Sequence, residues 1–467
     1  MSSNLQLNGA ADRSWAMVGW SGAALLIGVA VGALAGIDPA IAAAFGAAIA
    51  LGFVLLMRPY LILPLLVGSI FVEATTLRGI TISRLIAPAA LIVLIMAASR
   101  ERVSIRMSAP LAFATAYGLW AVASTFWTAD TGLTKDYLGS LGIALVYMVA
   151  IAGLLRSERD LERVGLTLSF AALALGLFAI TDYVFGIGWT LESGRAAGGA
   201  GDPNYFAVYQ VIALPVTLVM GAHAKSQALR VALYASAAVI VLSVFVSLSR
   251  GGLLTLAVIA VLAFALPART LFRSPMQKAV VFCIFVIGIA FASQGTASEI
   301  GGRFKTLASR DETGSGRTGL WMAGWTGIKE RPVLGLGFGA FRGASNDLIL
   351  RTPGVDLRHY ELRPNGHEAH DMYISTTADL GFPGLVLILG VVVATGRAFR
   401  QTATRAMAAG KPFVANMSNA LFLSLIAFAL AAIFLSAETS RALWILVGLA
   451  LALPKLLEGP KDEVEIL

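Results

Sequence analysis

The sequence predicts an all-α, polytopic integral membrane protein with about 12–14 membrane-spanning helices and one large extracytoplasmic loop. Three observations carry that prediction. Hydrophobic residues fill 57% of the 467 positions, charged residues only 13%, and the mean hydropathy is +0.79; a soluble domain carries about a quarter charged residues. Apolar runs near the roughly 20 residues needed to cross a bilayer recur along nearly the whole length. The runs are continuous, not alternating, which excludes a barrel.

In chain order, spans are expected at 15–36, 39–57, 60–73, 84–98, 109–127, 137–155, 164–186, 203–222, 230–247, 251–267, 279–293, 371–396, 414–435 and 441–455, the third short enough to be tilted or re-entrant. The run at 15–36 is long enough to stay as a first span and not be cleaved as a signal peptide. With the N-terminus inside, 19 of the 35 Lys and Arg fall in cytoplasmic segments, 6 in short outer segments and 10 in the loop 294–371. That bias predicts two cytoplasmic termini and an extracytoplasmic loop; in the inner membrane of a Gram-negative bacterial cell that side is the periplasm. It also accounts for the formal charge of +8 without a nucleic-acid partner. The expected organisation is 1–293 helical, 294–370 the periplasmic loop and 371–467 the C-terminal helices. The lone Cys283 lies in an apolar run, so no disulfide framework is expected.

The loop is the only long polar segment between hydrophobic helices. It closes with Asn365-Gly366-His367-Glu368-Ala369-His370-Asp371 on the threshold of an apolar helix. An amphipathic helix is expected over 317–329, with Trp321 and Trp325 on one face suited to the membrane interface. Residues 332–339, Pro-Val-Leu-Gly-Leu-Gly-Phe-Gly, read as turn and tight backbone.

Three arginines lie on the outer face, where the charge bias disfavours them. Arg195 sits in Ser193-Gly194-Arg195-Ala196-Ala197-Gly198-Gly199, ahead of Asp202-Pro203-Asn204-Tyr205. Arg250 sits in Ser247-Leu248-Ser249-Arg250-Gly251-Gly252, and Arg317 in Gly314-Ser315-Gly316-Arg317-Thr318-Gly319. Glycine lets a ligand approach the backbone, and exposed amides at a helix start bind anions. The guanidinium fork matches phosphate oxygens. Any one arginine could be a charge snorkelling at a helix end. All three together read as a site for a doubly charged phosphate group at the membrane surface.

His370 falls at a helix N-terminus, which disfavours the imidazolium, so a neutral ring able to accept a proton is expected. His367-Glu368-Ala369-His370 is one residue short of His-Glu-x-x-His, and no third ligand of suitable spacing follows, so no metal is expected. Asp379 is an intramembrane carboxylate, for which an arginine partner is expected. The following Gly381-Phe382-Pro383-Gly384 predicts a kink. Glu73, Asp182 and Glu438 also fall at outer span ends, and Glu438 with Arg441 reads as a local pair.

Four segments then align in order with a known family: Arg195 through Asn204-Tyr205-Phe206-Ala207; Ser249-Arg250-Gly251; Arg317, Trp321 and Pro332-x-x-Gly335-x-Gly337; and His370-Asp371 followed by Asp379 to Gly384. Over roughly 194–384 the chain resembles the O-antigen ligase and O-antigen polymerase superfamily of bacterial glycosyltransferases. The resemblance implies a GT-C-like helical fold and transfer of a glycan from an undecaprenyl-diphosphate-linked donor, without metal or cofactor. Arg250 and Arg317 would hold the diphosphate and His370 would activate the acceptor hydroxyl, with Arg195 at a position often arginine in the family. Asn204, His367, Asp371 and Asp379 are the accompanying substrate-binding candidates. The usual His-x-His-Asn pattern is altered here: the first histidine is three residues back, and Asp371 replaces the asparagine.

Within that superfamily the acceptor would be lipid A–core for a ligase, another lipid-linked glycan for a polymerase, or a protein for an O-oligosaccharyltransferase. A lipid-linked oligosaccharide flippase would instead show inverted repeats, broken helices and charges near the midplane. The charges noted here cluster at outer ends and in the loop, which favours surface chemistry. A purely structural membrane protein would leave the arginine–histidine constellation unexplained.

Overall fold

The computed structural model describes residues 61–72, 76–77, 80–99, 105–188, 191–192, 194–265, 268–272, 317–355 and 362–458, with isolated positions 58, 274–275, 278–279, 282, 357 and 360. Nearly all lie in one compact unit, Ile62–Leu467. The spans expected at 15–36 and 39–57, most of 279–293, the loop residues 294–316, Glu73 and His359 lie outside the described residues.

In chain order the helices are α1 (Ile62–Gly68), α2 (Ile82–Ser99), α3 (Ala109–Ala123), α4 (Thr131–Leu154), α5 (Glu158–Phe185), α6 (Pro203–His223), α7 (Gln227–Val246), α8 (Arg250–Ala265), α9 (Arg317–Glu330), α10 (Ala340–Arg351), α11 (Met372–Ala408), α12 (Pro412–Ala431) and α13 (Arg441–Ala452). Two small hairpins accompany them, β1 (Thr76–Leu77) with β2 (Ile80–Thr81) and β3 (Leu191–Glu192) with β4 (Arg195–Ala196). Among the described residues, eight helices are long and apolar enough to cross a membrane: α2 to α7, α11 and α12, with α3 and α12 each extended by a 3-10 turn. The shorter α1, α8 and α13 occupy the positions of three further expected spans. This is the all-α polytopic architecture read from the sequence.

Polar caps set the helix starts. The Asp130 carboxylate accepts from the amides of Gly132 and Leu133 at α4. Ser157 and Asp160 form a reciprocal capping box at α5. Asp202, with Pro203 in the first turn, caps α6, and Asp371 caps α11. The interior of the bundle is α6, 89% of whose apolar window is buried, against 28% for α2 and α3. It packs against α5, α7, α8 and α12, while α11 packs on α3 and α12 and α13 lies on α4.

α11 runs for 37 residues but is broken at Gly381, with φ 69° and ψ −175°. The break frees three carbonyls. Pro383 has no N–H to return to Asp379, and the turned backbone removes the partners of Ala378 and Leu380. Each freed group is taken by another segment. Leu336 N donates to Ala378 O at 2.9 Å, Gly337 N to Asp379 O at 2.8 Å, and Trp120 Nε1 to Leu380 O at 2.9 Å. Phe382 N in turn donates to Pro332 O at 2.8 Å. The two backbones approach so closely that a Cβ on Gly335 would lie 2.3 Å from Asp379 O, and one on Gly381 2.1 Å from Val333 O. Pro332–Phe338 and the kink are therefore two halves of one joint.

The joint docks the loop helices. Leu320, Ala323 and Ile328 of α9 meet Leu336, Phe341 and Leu348 across a buried cluster that reaches Ala369 and Ala378. The α10 helix was not expected from the sequence. Asp379 supplies its start, accepting from Gly339 N and Phe341 N, each at 2.7 Å. This corrects two expectations: Asp379 is partnered by amides and not by an arginine, and its carboxylate is spent inside the fold. In α9, Trp321 is half-buried with Nε1 on Ala369 O at 3.0 Å, while Trp325 is exposed.

Changing Asp379 to Asn would set one amide donor against another. A loss of about 1–3 kcal/mol is expected, read as a lower thermal midpoint in detergent with donor affinity retained in the folded fraction. An unchanged midpoint with lost donor affinity would return Asp379 to the substrate site.

Candidate active site

Arg195 is presented by the β3–β4 hairpin, whose register pairs Glu192 with Arg195 across a turn carrying Gly194 at φ 73°. Its Nε donates to Ser247 O and its Nη2 to Asn204 Oδ1, both at 3.2 Å. Asn204 Oδ1 also accepts from Ser249 Oγ at 2.8 Å. One amide oxygen at the start of α6 thus ties the Arg195 hairpin to the turn before Arg250.

That turn is tight. Ser249 Oγ accepts from Gly252 N at 3.1 Å, and Arg250 opens α8. The glycines after it serve a different purpose from the one expected. A Cβ on Gly252 would lie 2.5 Å from Ala207 Cβ, and one on Gly251 2.8 Å from the Phe434 ring. They let α8 pack against α6 and the end of α12; they do not open the backbone to a ligand.

Arg317 opens α9 and His370 closes the loop. Trp321, one turn into α9, holds Ala369 O, and His370 N donates to Ser436 Oγ at 3.1 Å. Ser436 also receives Tyr205 OH on its carbonyl at 2.5 Å and lies 3.3 Å from Ser375 Oγ. Among the described residues, the non-glycine residues with positive φ are Leu248 and His370, both at 50°. Backbone strain of this kind, worth about 1–3 kcal/mol, clusters at functional sites.

The electrostatics report the convergence. Burial lowers the Arg317 pKa; Asp202 acts against that shift, and Arg250 and Arg195 add to it. Burial likewise brings the His370 imidazole down to about 4, with Arg317 pushing the same way and Asp202 opposing. A neutral ring was expected, but from the helix terminus; burial and then Arg317 are the causes found. The structure therefore brings Arg195, Asn204, Arg250, Arg317 and His370 to one place. The other candidates are differently placed. Asp371 Oδ1 accepts from Tyr373 N and Ile374 N as the α11 cap. His367 is seated through its amide on Ser345 Oγ at 2.7 Å, its ring edge-on to Tyr360.

Four further residues were given no site role in the sequence. Asp202 appears there only within the segment after Arg195, yet its charge is felt by both Arg317 and His370. Ser436 carries no motif. Glu368 pairs with Arg342 at 3.4 Å, and burial raises its pKa. Glu438, two residues beyond Ser436, is fully buried with Oε2 lacking a partner among the described residues, and burial pushes its carboxyl up to about 8.

No curated protein matches the chain. A family model described as O-antigen ligase matches residues 235–389, a stretch that contains Arg250, Arg317, His367, His370, Asp371 and Asp379 and leaves Arg195 and Asn204 outside it. The match covers the Arg250, Arg317 and His370 segments, while the Arg195 hairpin, the α6 cap and Ser436, which join them, lie outside it. That match, over residues 235–389, supports the resemblance of this part of the chain to the O-antigen ligase and polymerase superfamily.

Proposed function

We propose that this protein is an inverting glycosyltransferase that moves a glycan from an undecaprenyl-diphosphate-linked donor to an acceptor hydroxyl at the periplasmic face of the inner membrane. The convergence of three guanidinium groups beside a neutral imidazole carries the reading. Displacement at the anomeric carbon needs a held leaving group and an activated nucleophile. The hydroxyl oxygen bonds to the anomeric carbon as its proton passes to His370. The anomeric C–O bond breaks, and its electron pair leaves on the lipid diphosphate. Arg250 and Arg317, with Arg195 behind them, oppose the charge that grows on the leaving oxygens, which favours the transition state over the ground state. Asp202 offsets the imidazolium that forms beside Arg317. We take lipid A–core as the acceptor, as in an O-antigen ligase, on the description of the matching family.

In a deletion strain, loss of polymer from lipid A with lipid-linked chains retained is expected. Single repeats in place of long chains would make the protein a polymerase instead. Arg250→Ala and His370→Ala are each expected to abolish transfer while the protein still inserts, and NMR of the wild-type product should show the inverted anomer. Wild-type turnover in the His370→Ala protein would remove the histidine from the mechanism.

The pH dependence follows from the buried imidazole. The base works in its neutral form, and a folded-state pKa of about 4 keeps it neutral far below the ordinary histidine range. The acid limb of kcat/KM, which reports the free enzyme, is expected near pH 4. The limb of kcat should lie higher, because a bound diphosphate favours the imidazolium. A kcat/KM limb near the ordinary value of about 6.5 would mean that the ring is solvated and apart from the arginines.

A further inference from the structure

The end of α11 remote from His370 carries a second polar assembly. α11 continues to Ala408, twelve residues past the expected span end at 396, and the added length carries Arg397, Arg400 and Arg405. At about 1.5 Å per residue Arg397 lies roughly 40 Å along the chain axis from His370, beyond the roughly 30 Å of a hydrocarbon core.

Here α11, the start of α3 and the end of α13 enclose a cavity of about 870 Å³. Val393, Arg397, Gln401 and Arg405, four residues apart in turn, form one stripe of its wall, and Phe113 and Leu451 supply apolar surface. Arg106 and Lys455 also line it. The one carboxylate in the lining, Glu458, pairs with Arg106. Lys455 Nζ donates to Ala152 O at 2.7 Å. Arg397 and Arg405 have no hydrogen-bond or ion-pair partner among the described residues.

A second groove, of about 460 Å³, lies on the other side of the same stripe, between α11 and α12. It shares Val393, Arg397 and Gln401 with the cavity and is otherwise mostly apolar, floored by Gly396 and walled by Phe422, Leu425 and Ile426. A basic pocket and an apolar furrow therefore meet at Arg397.

We propose that this junction binds an anionic phospholipid, with its phosphate between Arg397, Arg405 and Arg106 and an acyl chain along the α11–α12 groove. The cavity offers four cations against one carboxylate, which suits a phosphate, and that carboxylate is already paired with Arg106, so the ammonium of a zwitterionic headgroup meets no unpaired carboxylate in the lining. The furrow runs along the outside of the spans, where an acyl chain and not a soluble ion would cover it. Basic pockets between spans hold anionic headgroups in this way.

The test is native mass spectrometry of the full chain in detergent doped with phosphatidylglycerol or phosphatidylethanolamine. Phosphatidylglycerol adducts should exceed phosphatidylethanolamine adducts several-fold. At about 1 kcal/mol per surface cation, the Arg397→Ala, Arg405→Ala double variant should lower phosphatidylglycerol occupancy by about 30-fold. Both arginines are exposed, so the variant is expected to fold, and Lys at both positions should restore much of the binding. Arg159→Ala with Lys225→Ala, at a separate pocket that also carries Glu158 and Glu162, should change nothing. Equal binding of the two lipids, or an unchanged double variant, would overturn the proposal. Competition by millimolar inorganic phosphate would make this a free-phosphate site. Higher lipid occupancy after replacing Asp462, Glu463 and Glu465 with Ser would give the pocket to the acidic C-terminal segment.

Discussion

The broken helix α11 is the constraint on which the rest depends. A carbonyl left unpaired in apolar surroundings costs about 1–3 kcal/mol, and the break at Gly381 frees three of them. Pro332–Phe338 and Trp120 take all three. A non-helical stretch inside a span is tolerated only when protein covers it in this way. The loop is consequently not an appendage. Lifting it off would leave Ala378 O and Asp379 O without donors and strip Asp379 of the two amides it caps. Arg317 at one end of the docked loop and His370 at the other are fixed relative to the bundle for that reason.

Charge explains why such an arrangement asks for a ligand. Arg195 donates to Ser247 O and Asn204 Oδ1, which orient its guanidinium. Arg250 and Arg195 both act on Arg317 as like charges. The opposing carboxylate, Asp202, already accepts from Asn204 N and Tyr205 N at the α6 cap. Like charges brought together in partly buried surroundings are costly to hold. The diphosphate of the proposed donor would reduce that cost.

Much of this was legible in the sequence, and the parts that were not share a cause. Long apolar runs mark spans wherever they fall, so α2 to α7, α11 and α12 were each expected in place, while the polar starts of α4 and α5 and the basic last turns of α11, which extend those helices past their apolar runs, were not. Gly381 with Pro383 announced the kink, because only a special φ and a missing donor are needed to infer it. The helix at 317–330 announced itself through its apolar spacing. α10 did not: its Ala-Phe-Arg-Gly-Ala-Ser-Asn-Asp run is polar, and its start is supplied by Asp379 some 40 residues away in the chain. Glycines at Arg250 read as openings for a ligand because a sequence does not say which helix will press on them. Ser436 was invisible as a site residue, and Glu438 read only as a carboxylate at a span end paired with Arg441, since a turn without a motif gains its meaning only from what the bundle brings beside it.

The orientation of His370 shows how these pieces combine. Its left-handed φ is unfavourable for any residue with a Cβ, by about 1–2 kcal/mol, and something must hold it there. The loop side holds the preceding carbonyl, through Trp321 on Ala369 O; the bundle side holds its amide, through Ser436 Oγ. Neither bond alone fixes the peptide planes on both sides of the residue. Ser436 is itself seated by Tyr205 from α6, three residues past the cap Asp202 and next to Asn204, which binds Arg195. The backbone that aims the imidazole is thus built from the same segments that carry the arginines. A displacement of the docked loop would release Ala369 and leave Ser436 in place, relaxing φ and turning the ring. On this geometry the His370 imidazole and the arginine segments are positioned by one set of contacts, so the proposed base and the proposed diphosphate cradle stand or fall together.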